Sequence, residues 1–331
     1  MRNRLTARQI NAWSLCTLSV PATLALSGCG WVWVLGGSVL AGVLTAAAAG
    51  MQRRAGTGMR EALVFAFGIR SGRILAACSL AWLLFAAAGA AAACQTVFED
   101  DLGPFAPAVP LLLAALACGK GRAAAGRVCA VLAMCAAGLY AIIAAASLRH
   151  IQGAWCRPWG VPADAALAFC LCLTPAGLLF MTDGDETAAP SPAAAAANAL
   201  LPAVPAFLAA ACLSPELARA ERLPLLTLSK SLSVLSVMQR FELLLSVAQM
   251  LGVFSLLAML ACAALHMTMT EIFRTERSGK AGGGVFCLLA LGGSFLMQWV
   301  PLWVWAVGTA IFWGVMPILT QVIVNIKKTE K

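Results

Sequence analysis

Two segments place a proline among small polar residues inside otherwise apolar runs: Thr17-Leu18-Ser19-Val20-Pro21-Ala22-Thr23 and Leu173-Thr174-Pro175-Ala176-Gly177. Proline removes a backbone donor and clashes with the preceding turn, so each run is a candidate for a helix break. Where a break lies in apolar surroundings, its freed N–H and C=O groups can bind a small solute. The candidate ligand-binding residues are therefore Ser19, Pro21, Ala22, Thr23, Thr174, Pro175, Ala176 and Gly177. A second reading is that the prolines and small residues only kink and pack helices. What separates the two readings is the pairing, since the breaks fall at corresponding positions of two halves. Ser79, Gln249 and Gly252 are lesser candidates, with side chains or space that could face the same cavity. Arg240 and Glu242 lie near the start of the eighth apolar run. Two residues apart on a helix they do not face each other, and they read as interfacial anchors.

The remaining chemistry-bearing residues argue against an enzyme. Only two histidines are present, His150 and His266, far apart and in no metal-ligand spacing. Neither a nucleophile elbow, a phosphate loop nor an H-E-x-x-H helix occurs. Thirteen cysteines suggest a disulfide framework, yet most sit inside apolar runs, as Cys78, Cys129, Cys135, Cys170, Cys172 and Cys262 do. There they act as small packing residues. No C-x-x-C pair points to zinc or redox work. Acidic residues are nearly missing from the apolar runs, which disfavours a buried carboxylate relay. The expectation is a protein without catalytic residues, metal or cofactor.

The elements that hold these segments are set by composition. Of 331 residues, 61% are hydrophobic and 11% charged. A soluble domain carries about 25% charged residues, so this chain must leave apolar area facing lipid. Apolar runs of near-membrane length follow one another. They cover about Ile10–Gly28, Trp31–Gly50, Ile74–Cys94, Phe105–Cys118, Val128–Ser147, Ala165–Thr182, Ala193–Leu213, Val237–Leu265, Gly283–Trp299 and Leu302–Ile326. That pattern predicts an all-α polytopic protein of about ten transmembrane helices in one membrane domain, residues 1–331. Its two repeats fall at about 9–147 and 165–326, with an amphipathic segment, Pro215 to Ser236, between the seventh and eighth runs. The stretch Gln52–Arg73 and the acidic Glu99–Asp101 read as loops.

A net charge of +9 could suggest nucleic acid as partner. The basic residues instead gather in alternate short loops and at both ends, as the positive-inside bias requires. Both termini are therefore expected in the cytoplasm, with the lipid bilayer as the partner and no nucleic acid. One loop dissents, since Asp183–Glu186 should lie inside yet carries no Lys or Arg. The amino terminus, with Arg2, Arg4, Arg8 and Leu26-Ser27-Gly28-Cys29, has the look of a lipoprotein signal. Gly30-Trp31-Val32-Trp33-Val34 is no polar tether, however, and reads as a second helix behind a glycine turn.

At these residues the chain resembles a known family, the B-type permease-like subunits of endospore nutrient germinant receptors. These are spore germination permeases of the amino acid–polyamine–organocation superfamily. Carrying the resemblance are Gly30-Trp31 through Gly36-Gly37, Phe67-Gly68-Ile69-Arg70-Ser71-Gly72-Arg73-Ile74, and Ala108-Val109-Pro110 to Gly126-Arg127. The most telling part is Leu228-Ser229-Lys230 through Gln239-Arg240-Phe241-Glu242, followed by Leu251-Gly252-Val253-Phe254. The chain is short for the family, and its sixth run lacks the Gly-Glu element expected after the break. The resemblance implies a five-plus-five inverted-repeat (LeuT-like) fold with helices 1 and 6 broken. It also implies a small nutrient ligand such as an amino acid, other germinant-receptor subunits as partners, and the inner spore membrane. An autonomous secondary transporter of small solutes and a ligand-free membrane scaffold remain alternatives.

Overall fold

The computed structural model of the chain describes residues 5–181, 192–232, 241–268 and 279–329. In the first half, α1 (Ala7–Leu24), α2 (Trp31–Ala55), α3 (Met59–Phe67), α4 (Ile69–Leu102), α5 (Ala108–Gly119) and α6 (Arg122–Ser147) follow in order. The second half begins with α7 (Pro162–Leu171) and a 3₁₀ segment, Thr174–Met181. It continues with α8 (Pro192–Leu213), the short α9 (Pro215–Ala220) and α10 (Pro224–Ser231), then α11 (Phe241–Thr268) and α12 (Gly279–Met297). Last come α13 (Leu302–Thr309), a π-helical turn, Ala310–Val315, and α14 (Met316–Thr329). Among the described residues, six helical stretches are long and apolar enough to cross a membrane: Trp31–Ala55, Ile69–Phe98, Arg122–His150, Pro162–Met181, Phe241–Thr268 and Leu302–Thr329. With α1, α5, α8 and α12 between them, the described helices group into ten crossings, as the hydropathy pattern predicts.

Local sequence explains where the helices begin. Thr6 and Gln9 form a capping box, with Gln9 Oε1 accepting the Thr6 N–H at 2.9 Å. Helices α7, α9 and α10 each start on a proline (Pro162, Pro215, Pro224), whose missing N–H costs nothing at a first helical position. Gly56 closes α2 in the left-handed conformation, φ 62°.

The centre of the bundle is α11, which packs on α1, α4, α5 and α6 and is buried along nearly its whole length. The outside is the converse. Leu40, Val43, Leu112, Leu116, Met134, Leu288 and Leu296 are all exposed, an apolar belt that suits lipid. On the face carrying the chain ends, three basic side chains find helix-terminal carbonyls. Lys327 Nζ donates to Ala66 O at 2.8 Å, Lys328 Nζ to Ala55 O, and Arg122 Nη1 to Met181 O. These contacts neutralise carbonyls that helix ends leave unpaired.

Two expectations about loops change. The stretch Gln52–Arg73 is helical in large part, because α3 fills it and α4 starts at Ile69. The backbone at Glu99–Asp101 is also helical, since α4 runs on to Leu102 past a kink at Phe98 (φ −111°, ψ 15°). In both places a helix carries polar residues beyond its apolar stretch, which hydropathy alone truncates. The acidic residues Asp183–Glu186 and the Arg274–Arg277 part of a basic loop lie outside the described residues.

Candidate functional site: a cavity between two disrupted helices

The sixth crossing breaks where its sequence says it should. A regular helix would bond the N–H of residue 175 to the carbonyl of Leu171, and Pro175 has none to give. Thr174 Oγ1 takes that carbonyl instead, at 2.6 Å. The chain then tightens into 3₁₀ geometry, with Leu173 N donating to Cys170 O and Ala176 N to Leu173 O.

The first crossing behaves differently. Helix α1 runs unbroken through Pro21 and ends only at Leu24, where Ala25 and Leu26 both donate to Pro21 O at 3.0 Å. The mid-span break expected at Thr17–Thr23 is thus displaced to Ala25–Gly30. The small polar side chains along α1 bond back to their own helix. Thr17 donates to Ser14 O, Ser19 to Cys16 O, Thr23 to Ser19 O and Ser27 to Thr23 O, at 2.6 to 2.9 Å. Packing against α6, α8 and α11 holds the turn around the proline in place.

Both disruptions open on one cavity of about 480 Å³. Pro21, Leu24 and Ala25 line it from the first, and Leu171 and Thr174 from the second. Its volume falls in the range of small-molecule sites, roughly 300–1,000 Å³. A third wall is aromatic, formed by Trp305 of α13 and Trp313 of the π-helical turn. Trp82 stacks on Phe312 with centroids 5.5 Å apart and a 12° tilt, and Phe85 lies 5.0 Å from Trp305. Two glycines let these rings in. A Cβ on Gly89 would lie 1.4 Å from the Trp305 ring, and one on Gly308 would lie 2.2 Å from Trp82. Each of α4 and α13 therefore offers a glycine to the other's indole.

The α9–α10 connection also contributes Arg222 and Leu223 to the lining. Asp164, 6% exposed, fixes this connection. Its Oδ2 accepts the Gly30 N–H at 2.9 Å and the Val161 N–H at 3.2 Å, while Oδ1 meets Arg219 Nη2 at 3.5 Å. One carboxylate so ties the α1–α2 turn, the start of α7 and α9 together. The nearby Cys29 thiol is pushed up to about 12 by burial and by the Asp164 charge, with Arg219 opposing.

Of the residues singled out from sequence, Pro21 and Thr174 both line the cavity. Ser19 and Thr23 instead turn toward Tyr140 of α6, and Ser19 Oγ also abuts Gly252 of α11. Ala22, Pro175, Ala176 and Gly177 are buried in helix packing, with Gly177 against Trp313 and Met259. Ser79 bonds Leu75 O and Met316 Sδ, joining α4 to α14 away from the cavity. Gln249 is buried with Oε1 unpartnered, outside the lining. Glu242 is half-buried at the start of α11, and Arg240 lies outside the described residues. Sequence reading passed over Arg222, Trp305 and Trp313. The signal was present in two tryptophans two helical turns apart and in two arginines, Arg219 and Arg222, between two prolines. Among the described residues, no cluster of three His, Cys, Asp or Glu is placed to hold a metal.

A cavity at two disrupted helices within a lipid-facing bundle defines a permease-like membrane protein. The chain superposes on a solved Na+-coupled sialic acid symporter, in a substrate-bound outward-open state, with TM-score 0.63. Identity is 13%, over 96% of this chain and 78% of that one, so the likeness establishes the fold, the five-plus-five inverted-repeat transporter architecture. Residues 173–299, from the helix 6 break to the end of α12, match the family of spore germination proteins. With the transporter fold around them, the resemblance to spore germination permeases is borne out. No curated protein matches the chain.

Proposed function

We propose that the chain is the permease-like subunit of a spore germinant receptor. In this reading it binds a small nutrient, typically an amino acid, between the two disrupted helices and contributes to triggering germination. One observation carries the reading: Pro21 and Thr174, from opposite halves of the chain, line the same cavity. The spore germination family match supports the germination role. The receptor's other subunits, the inner spore membrane and cytoplasmic termini belong to the same proposal, as do repeats at about 9–147 and 165–326. No catalytic role is assigned to any residue. A second reading, autonomous transport of a small solute, is favoured by the fold shared with a sialic acid symporter.

The test is ligand-induced thermal stabilisation of the full chain in nanodiscs, across amino acids, sugars and nucleosides. A ligand that binds only the folded state raises stability by about 2.7 kcal/mol at a hundred times its Kd. Ala93→Phe, which fills the cavity from α4, is expected to abolish that shift while the protein stays folded. A shift that survives Ala93→Phe would place the site elsewhere, and no shift with any solute would favour a scaffold. Gradient-driven uptake by the protein alone in liposomes would decide for transport.

A further inference from the structure

Resting on the reading that this cavity takes a small ligand, we propose that Arg222 receives the carboxylate of a largely apolar monocarboxylate. Apolar amino acids and their deaminated analogues are the class it fits. Four observations lead there.

Among the described residues that line the cavity, Arg222 is the one charged side chain. The rest of the lining is apolar or neutral, with Thr96, Thr174, Gln298 and Thr309 as its hydroxyl and amide groups. An anionic ligand group therefore has one cation to meet. A ligand ammonium has no carboxylate in that lining and only neutral oxygens to meet.

The Arg222 guanidinium is also uncommitted. It donates to Thr96 Oγ1 at a long 3.5 Å, and no carboxylate among the described side chains lies within ion-pair distance. Arg219, three residues earlier, is by contrast spent on the buried Asp164. The two arginines of α9 and the turn after it thus divide the labour: one pins the segment to α7, and the other faces the cavity.

The backbone beneath Arg222 is held. The Asp164–Arg219 contact secures α9 on one side. On the other, Pro224 starts α10 and is buried with Leu225. A guanidinium presented from a fixed backbone can grip both oxygens of a carboxylate in its planar fork, which an ammonium cannot.

Finally, the wall formed by the tryptophans is apolar. Trp305 and Trp313 stand beside the small residues Ala86, Gly89 and Ala90. A ligand oriented by its carboxylate at Arg222 puts its alkyl or aryl body on those surfaces. An exposed arginine that is merely solvated would show no preference between acids and their alcohols.

The experiment follows melting of the full chain in nanodiscs with paired probes: L-leucine and L-leucinol, L-phenylalanine and L-phenylalaninol, and 4-methylpentanoic acid. At least one amino acid and the deaminated acid are expected to stabilise the wild type, with their alcohol partners weaker by about tenfold or more. Arg222→Gln is expected to weaken the acids by at least about tenfold, with part of the loss restored in Arg222→Lys. Its ligand-free melting should match the wild type, since the side chain is exposed. Equal binding of acid and alcohol, blocked by Ala93→Phe, would overturn carboxylate recognition and leave the cavity reading intact. Wild-type acid affinity in Arg222→Gln would overturn it likewise. If no acid or alcohol stabilises the wild type, the carboxylate proposal fails together with any claim on these solutes.

Discussion

Gly252 sets how closely the first helix can approach the central one. A Cβ there would lie 2.2 Å from Ser19 Oγ, while Cys16 O and Ser19 Cβ would stay at 3.5 Å. The obstruction is one hydroxyl, and that makes it testable. Gly252→Ala is expected to destabilise by about 1–3 kcal/mol, the usual cost of forcing atoms into a packed site. Ser19→Ala removes the obstructing oxygen, so the double variant should recover most of that loss. Such strong non-additivity is the signature of direct contact. Melting temperatures of the two single variants and the double variant check it, and additive losses would refute the contact. Ser19 and Gly252 were both legible as interesting from sequence, but as cavity residues. They meet each other instead, because a small polar group in an apolar helix has its own backbone carbonyl as the nearest acceptor.

At the scale of elements, Asp164 gathers the α1–α2 turn, the start of its own helix and α9 through three contacts. Two are backbone N–H groups, a buried one from Gly30 and a part-buried one from Val161, and the third is Arg219, half-exposed. Losing acceptors for buried donors costs about 1–3 kcal/mol, whereas a half-exposed ion pair contributes at most about 1 kcal/mol. The expected order of destabilisation is therefore Asp164→Ala, then Asp164→Asn, then Arg219→Gln. Asn keeps an oxygen for the amides, which is why it should fall between. Thermal melting ranks them, and an Arg219→Gln variant as damaged as Asp164→Ala would contradict the assignment. None of this was readable in the sequence, where Asp164 is simply an acidic residue near a helix start. The break in the sixth crossing, by contrast, was legible, because Pro175 must forfeit the bond to Leu171 wherever the helix packs. Pro21 forfeits the equivalent bond to Thr17, yet packing on three helices keeps α1 regular. The proline thus states a local cost, and tertiary contacts decide whether a break follows.

For the molecule as a whole, hydropathy located the ten crossings because burial in lipid is a bulk demand, written across twenty residues at a time. The cavity was only half visible in the same terms. Its disrupted helices are local, but its aromatic wall depends on Gly89 meeting Trp305 and Gly308 meeting Trp82 across the bundle. The basic residues carry a further global message. Arg122, Lys327 and Lys328 do more than mark a side of the membrane, since each bonds a helix-terminal carbonyl on the face that holds the chain ends. If that face is cytoplasmic, the Ile151–Val161 connection lies on the other side. Alkaline phosphatase fused after Arg157 should then be active, and the same enzyme fused after Thr329 should be silent. A green fluorescent protein at Thr329 should fold and fluoresce. The reverse pattern would invert the orientation, and with it the side from which Arg222 meets its ligand. Arg222 lies on the face of the Asp164–Arg219 contact and so of Arg157, whichever way the protein inserts. The fusion experiment thereby fixes whether the site samples the medium or the cell interior, a distinction on which a role in sensing external nutrients depends.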